Sequence, residues 1–144
     1  VKLASRTAER AVAAAQGISD LVDGSSVTGV MVSESCQLAS LIADCDVVVA
    51  AGAIGVQLLP QGIWQSSDSL KVLVDLNAVA PAGIEGIDML DTARVVEGKV
   101  TYGAIGVGGL KMKIHKASIS RLFEANDQVL NVDEIYAIGE SLTD

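Results

Sequence analysis

Asp46-Val47-Val48-Val49-Ala50-Ala51-Gly52-Ala53-Ile54-Gly55 is the stretch on which the fold turns. Its apolar run is unbroken, with no polar residue on alternate positions. That is the pattern of a strand buried on both faces, as in a parallel sheet covered by helices. Gly52 and Gly55 then halt it. The same grammar recurs on either side. Residues 1–4 read as a short strand ending at Ser5-Arg6-Thr7, and residues 8–21, rich in Ala, Glu, Arg and Gln, as a helix capped by Thr7. Residues 27–32 read as another strand, after which Ser33 opens a helix with Glu34 in its first turn.

Downstream, residues 60–65 suit a short helical turn and 71–76 a buried strand ending in Asp75 and Asn77. Residues 78–86, with Pro81, Gly83 and Gly86, suit a loop. Residues 95–102 suggest a strand or hairpin around Glu97-Gly98, 103–109 a glycine-rich loop and 110–125 a helix. Asn131 caps a last helix with Asp133 and Glu134 in its first turn. Strands alternating with helical segments of roughly 10–15 residues predict repeated β-α units, hence an α/β fold with a mostly parallel sheet and flanking helices. In such sheets ligands gather at the carboxyl ends of the strands. The expected ends are Ser5-Arg6-Thr7, Ala51-Gly52-Ala53, Asp75-Leu76-Asn77 and Gly103-Ala104, all along one edge.

Composition agrees. The 144 residues are 50% hydrophobic and 3% aromatic with 14 Gly, so the core is aliphatic. A net charge of −8 argues against nucleic acid or an anionic membrane as partner, since both need a cationic face. Any anionic ligand would depend on locally placed Lys, Arg or backbone N–H groups. Cys36 and Cys45, with a single histidine, show no metal-ligand spacing, and buried thiols in a reducing, cytoplasmic setting are expected. No uncharged run approaches the roughly 20 residues of a membrane span. The chain opens at Val1 without an initiator Met, as a piece of something longer would.

Several groups could carry chemistry. Arg6 follows a strand and precedes a helix, the place where a dinucleotide fold meets the adenosine ribose. An arginine there suits the 2′-phosphate of NADP, because its planar fork offers paired donors and stays charged. Ser5 and Thr7 add hydroxyls beside it. Taken alone, Arg6 also fits a solvated residue at a helix start. The glycines at 52, 55, 103, 106, 108 and 109 permit tight turns or close backbone approach, but none forms a GxGxxG fingerprint after a strand. Lys111, Lys113, His115 and Lys116 form a basic cluster, with Lys111 and His115 on one helical face. It suits an anionic or carbonyl-bearing ligand, or simply a solvated face. Trp64 and Tyr102 fit core or rim packing better than ring stacking.

Taken together, longer strings resemble one family. Ala51-Gly52-Ala53-Ile54-Gly55, Leu58-Leu59-Pro60-Gln61 and Trp64-Gln65 are similar to the bacterial methylene-tetrahydromethanopterin dehydrogenases. So are Asp75-Leu76-Asn77-Ala78 with Pro81, Gly83-Ile84 and Gly86-Ile87-Asp88, and most specifically the run Gly103-Ala104-Ile105-Gly106-Val107-Gly108-Gly109-Leu110-Lys111-Met112-Lys113-Ile114-His115. Leu122-Phe123-Glu124 and Glu134-Ile135-Tyr136 continue the likeness, which is close from about Val47 onward. Ser5-Arg6 falls where the family's nucleotide-discriminating arginine follows its second strand.

This resemblance to NAD(P)-dependent methylene-tetrahydromethanopterin/methylene-tetrahydrofolate dehydrogenases implies a Rossmann-like domain, here its C-terminal, nucleotide-binding half. The cofactor would be NADP, with NAD as the alternative, and the substrate a reduced pterin. It implies that Ser5, Arg6 and Thr7 hold the 2′-phosphate. Ala51, Gly52, Ala53 and Ile54 would line the ribose and nicotinamide side, Asn77 and the loop after it would border the nicotinamide, and Lys111 would face the pterin as the catalytic-site lysine. Hydride leaves the methylene bridge for the nicotinamide, giving a methenyl cation stabilised by its flanking nitrogens, so no general acid or base is required. Positioning and water exclusion are then the protein's tasks.

On this reading residues 1–144 are a partial NAD(P)-binding domain that lacks the first strand and the glycine-rich phosphate loop. The last helix, about 131–142, would pack on an N-terminal pterin-binding domain, and the assembly would be a homo-oligomer. Without strand one a gap is expected in the 3-2-1-4-5-6 order, with weak or absent cofactor binding by the chain alone. The alternative is a non-catalytic Rossmann-like remnant serving as an oligomerisation or interaction module. A carbonyl-reducing dehydrogenase is less well served, since it would want a general acid and His115 is the one histidine.

Overall fold

The computed structural model describes residues 1–142. It is a mixed α/β structure with mostly parallel strands and flanking helices. The chain divides into two compact units, residues 1–48 with 59–70, and residues 49–58 with everything from Lys71 onward.

In the first unit β1 (Lys2–Ser5) pairs in parallel with β2 (Thr28–Met31), Ser5 opposite Met31. Helix α1 (Ala8–Leu21) connects them and buries Ala11 and Ala15. The alanines let helix and strands meet at backbone distance. A Cβ on Gly29 would overlap the Ala11 backbone, so β2 tolerates no side chain there. Thr7 stands at the N-cap in extended conformation, as expected, but makes no side-chain cap bond.

Helix α2 is Cys36–Ile42, with Ser35 at its N-cap and no acidic residue in its first turn. The expected start at Ser33 is therefore two residues early. The cause is local: Gln37 Oε1 accepts from the backbone N–H groups of Ser33 (2.9 Å) and Glu34 (3.2 Å), fixing them as a turn ahead of the helix. Helix α3 (Gln61–Gln65) seats Trp64 wholly out of solvent, with Ile42, Leu59 and Leu70 completing the apolar core. Lys2 Nζ is paired with Asp44 and also donates to the Leu41 carbonyl at 3.1 Å, tying β1 to the end of α2. The Lys2 hydrogen bond holds the Asp44 carboxyl below its ordinary value, and the same bond holds Lys2 above its own.

The larger sheet runs β3-β4-β6-β5, where β3 is Val47–Ala50, β4 Val72–Asp75, β5 Arg94–Val96 and β6 Lys99–Tyr102. Strands β4 and β6 are parallel, while β5 and β6 form an antiparallel hairpin. Its turn places Glu97 at φ 49° and Gly98 at φ 74°, the left-handed pair that a two-residue hairpin requires. Helix α4 (Gly108–Leu122) begins two residues before the expected position, and α5 (Val132–Ser141) starts behind the expected cap Asn131, which forms a capping box with Glu134. Leu73, Ile84, Ile87 and Ile138 form the apolar core.

The strands form two sheets, β1-β2 and β3-β4-β6-β5, in keeping with the expected break in the strand order. Two expectations are corrected. Strand β3 is not buried on both faces: it lies at a sheet edge, and Val47 and Val49 are 52% and 55% exposed. The thiols are not both buried either, for Cys36 is exposed beside Glu34 and Cys45 is half-buried.

Candidate functional site

The site is built around the carboxyl end of β4. Asp75, the last residue of that strand, is only 2% exposed, yet both its oxygens are satisfied. Oδ1 accepts from the Asn77 backbone N–H at 2.9 Å and Oδ2 from that of Ile84 at 2.8 Å. One carboxylate thus ties together the two ends of the 77–84 loop. Loop and strand meet without room to spare: a Cβ on Gly83 would lie 2.6 Å from Asn77 Nδ2, 2.9 Å from Asp75 Oδ1 and 3.2 Å from the Ala50 Cβ. Leu76 N–H donates to the Ala50 carbonyl and Leu58 N–H to the Gly83 carbonyl, so the end of β3 joins the same assembly.

A second carboxylate fixes the facing wall. Asp91 is 5% exposed, and its Oδ2 accepts from Thr101 Oγ1 at 2.9 Å and the Asp88 N–H at 3.2 Å. Its Oδ1 accepts from Arg94 Nη1 at 3.3 Å. Around it, Gly103 N–H donates to the Asp91 carbonyl and Ile105 N–H to that of Met89. A Cβ on Gly103 would overlap the Asp88 carbonyl, and one on Gly106 the Asp91 carbonyl. These two glycines therefore serve close packing of the 88–91 strap on the end of β6.

Between the walls lies a cavity of about 190 Å³, lined by Asn77, Val79, Ala80 and Ala82 from one side and Ile87, Asp88, Met89 and Gly103 from the other, with Asp75 at the strand end. Its lining is mostly apolar, and its charged members are both acids. An apolar or cationic group suits such a place, and a phosphate does not. Asn77 is 8% exposed, and its Nδ2 is shut off from solvent without a hydrogen-bond partner. An unmade hydrogen bond of that kind costs about 1–3 kcal/mol.

Of the residues expected to bind cofactor or substrate, Asn77 alone lines the cavity, together with Asp75 and Gly103 from the expected strand ends. Ala51, Gly52, Ala53 and Ile54 follow β3 and are exposed, Ile54 at 72%. The structure gathers the ends of β3, β4 and β6, which belong to one unit. Ser5, Arg6 and Thr7 belong to the other, at the end of β1, where Val32 N–H donates to the Ser5 carbonyl and Arg6 and Thr7 are exposed. Lys111 is exposed on the first turns of α4, with Lys113, His115 and Lys116, and is not part of the cavity lining.

Sequence reasoning missed Asp88, Met89, Asp91 and Thr101 as site-building residues. Asp75-x-Asn77 carried a readable signal, because an Asp that accepts from the backbone two residues on is a known turn device. The pairing of Asp91 with Thr101 had none, since the β5–β6 hairpin makes it. Among the described residues no group of three or more His, Cys, Asp or Glu could hold a metal ion, and no helix is long and apolar enough to cross a membrane.

No family model matches the chain. It is 37% identical over 142 residues to the bifunctional protein MdtA of Methylorubrum extorquens (strain AM1), an alignment covering 99% of this chain and 49% of that protein. It is 36% identical over 88 residues to the NAD(P)-dependent methylenetetrahydromethanopterin dehydrogenase of the same organism, covering 60% of this chain and 30% of that protein. The chain spans about half the length of the first relative and under a third of the second. The second relative's name is that of a dehydrogenase of the kind the sequence resembles, and it states NAD(P) dependence for that protein.

Proposed function

We propose that the chain is a nicotinamide-nucleotide-binding part of an oxidoreductase that moves hydride from methylene-tetrahydromethanopterin, or methylene-tetrahydrofolate, to NADP. The observation that carries this reading is the cavity at the ends of β4 and β6, with its mostly apolar lining and the unpartnered amide of Asn77. A flat ring bearing a carboxamide fits both features. Its carbonyl is the acceptor that Asn77 Nδ2 lacks, reachable by turning the broad terminal torsion of the side chain. Asp75 and Asp88 favour the oxidised, positively charged ring over an anion.

When bound, the nicotinamide supplies the hydride acceptor. The chain's own residues orient and enclose it: Val79, Ala82, Ile87 and Met89 exclude water, and Asn77 sets the ring's rotation. Ser5, Arg6 and Thr7 would take the 2′-phosphate by charge-assisted hydrogen bonds. Ala51, Gly52, Ala53 and Ile54 would run beside the ribose. Lys111 would offer its ammonium to a carbonyl or carboxylate of the pterin. Positioning of this kind supplies the catalysis that a hydride transfer without proton transfer requires.

Two measurements test the reading. NADP reduction is followed with methylene-tetrahydromethanopterin, methylene-tetrahydrofolate and a simple carbonyl compound as candidate substrates, and turnover of the carbonyl compound alone would overturn the proposed reaction. In the full-length enzyme Arg6→Ala should weaken NADP far more than NAD, and equal losses would remove the phosphate assignment. A second reading, an interaction module, draws on the exposure of Phe123 (87%), Val129 (80%) and Val132 (81%). Self-association without nucleotide binding would favour it.

A further inference from the structure

The two relatives' names say nothing of how the cavity keeps its shape, and the geometry there points to a residue beyond those that would touch a ligand. We infer that Asp75 is a positioning residue, whose carboxylate holds the 77–84 loop in the form that makes one wall of the cavity. For the ligand it serves, this inference rests on the cofactor reading above.

Three observations converge on it. First, Asp75 is buried to 2% exposure and commits both oxygens to the backbone N–H groups of Asn77 and Ile84, the two ends of one loop. Hydrogen bonds to a charged acceptor are among the stronger ones a protein makes. Second, the segment so clamped supplies Asn77, Val79, Ala80 and Ala82 to the cavity. Third, Gly83 leaves no space for a side chain between Asp75 Oδ1, Asn77 Nδ2 and Ala50. Loop, carboxylate and strand end are therefore packed as a unit, and the orientation of Asn77 is set by Asp75 through the N–H of Asn77 itself. Apolar packing anchors this wall at Ile84, which is fully buried, and contributes less in its middle, where Val79, Ala80 and Pro81 are exposed. Releasing the carboxylate frees the loop while leaving the β4–β6 ladder in place.

The test compares the chain with Asp75→Asn and with Leu73→Ala, a core variant that weakens the sheet without touching the clamp. The Asp75→Asn substitution keeps the side chain's shape but replaces one acceptor by an NH₂ group facing an N–H. Amide hydrogen exchange at Asn77 and Ile84 should speed up about tenfold to a hundredfold in Asp75→Asn, the range expected for losing a charge-assisted bond. Amides of Val72–Asp75 and Lys99–Tyr102 should keep their protection. In Leu73→Ala all these amides should accelerate together. The side-chain amide resonances of Asn77 should move in Asp75→Asn and hold in Leu73→Ala, a signature that general loosening does not produce. NADP-induced shifts at Val79 and Ala82, at a fixed nucleotide concentration, should fall about tenfold in Asp75→Asn. Unchanged exchange at Asn77 and Ile84 would overturn the clamp. A loosened loop with undiminished NADP shifts would overturn its role in binding. NADP shifts in the parent chain that fall away from Asn77, Val79 and Ala82 would sink the cofactor reading, and the exchange data would still decide the clamp by themselves.

Discussion

Gly103 and Gly109 stand a few positions apart in one glycine-rich run, yet the structure gives them opposite meanings. At Gly103 and Gly106 a Cβ would overlap carbonyl groups of the 88–91 strap, whereas at Gly109 nothing lies within 4 Å. Gly106→Ala should therefore cost about 1–3 kcal/mol or more, as overpacking against backbone does. Gly109→Ala, in the first turn of α4, should gain up to about 1 kcal/mol by removing backbone freedom from the unfolded chain. Urea midpoints of the two variants decide it, and equal effects would show that the run is a loose loop. At Asp91, Thr101→Val removes one donor from a buried carboxylate that keeps its bonds to Asp88 and Arg94. A loss of about 1–3 kcal/mol is expected from the same urea midpoint.

Elements were more legible than partnerships. Helix α1 could be placed because Ala, Glu, Arg and Gln predominate behind Thr7, and the β5–β6 turn because Glu97-Gly98 sits between two β-like runs. Helix α2 was misplaced because the side chain of Gln37 captures the N–H groups of Ser33 and Glu34, a contact no propensity records. Strand β3 read as doubly buried because an apolar run says nothing about whether a neighbour covers each face. At α5 sequence and structure agree in detail. Asn131 accepts from Asp133 N–H, and Glu134 reaches back to Asn131 N–H, at 2.9 Å each. Asn131→Ala should cost about 1 kcal/mol of helix stability, visible as faster exchange at Asp133 and Glu134.

The Lys2–Asp44 tie between β1 and the end of α2 gives a pH signature with a definite sign. Asp44 has its folded value depressed, so its contribution is present above the unfolded carboxyl range and is lost as pH falls through the folded value. Lys2 has its folded value raised, so its contribution holds below the unfolded lysine range and is lost as pH rises through the folded value. Both side chains meet solvent, so salt should blunt the effect. Asp44→Asn should flatten the low-salt dependence of Tm at both ends of the pH scale. A profile unaltered by the substitution would show that the pair contributes nothing.

At the scale of the whole chain, strand–helix alternation was enough for the α/β class. The break between two sheets was expected from the lack of strand one, whereas the edge position of β3 was not readable, because neighbours across a sheet are chosen by tertiary pairing rather than by local pattern. The proposed nucleotide contacts fall in both units: Ser5, Arg6 and Thr7 in one, and Asn77 with the cavity in the other. Amide chemical-shift mapping with NADP and with NAD therefore tests the central claim most directly. With NADP, perturbations are predicted at residues 5–7 and at Asn77, Val79 and Ala82, with a dissociation constant of about a millimolar (~4 kcal/mol of binding free energy). With NAD the cavity residues should respond while those at the end of β1 respond far less. Perturbations that miss both sets, or equal responses of residues 5–7 to the two nucleotides, would contradict the account.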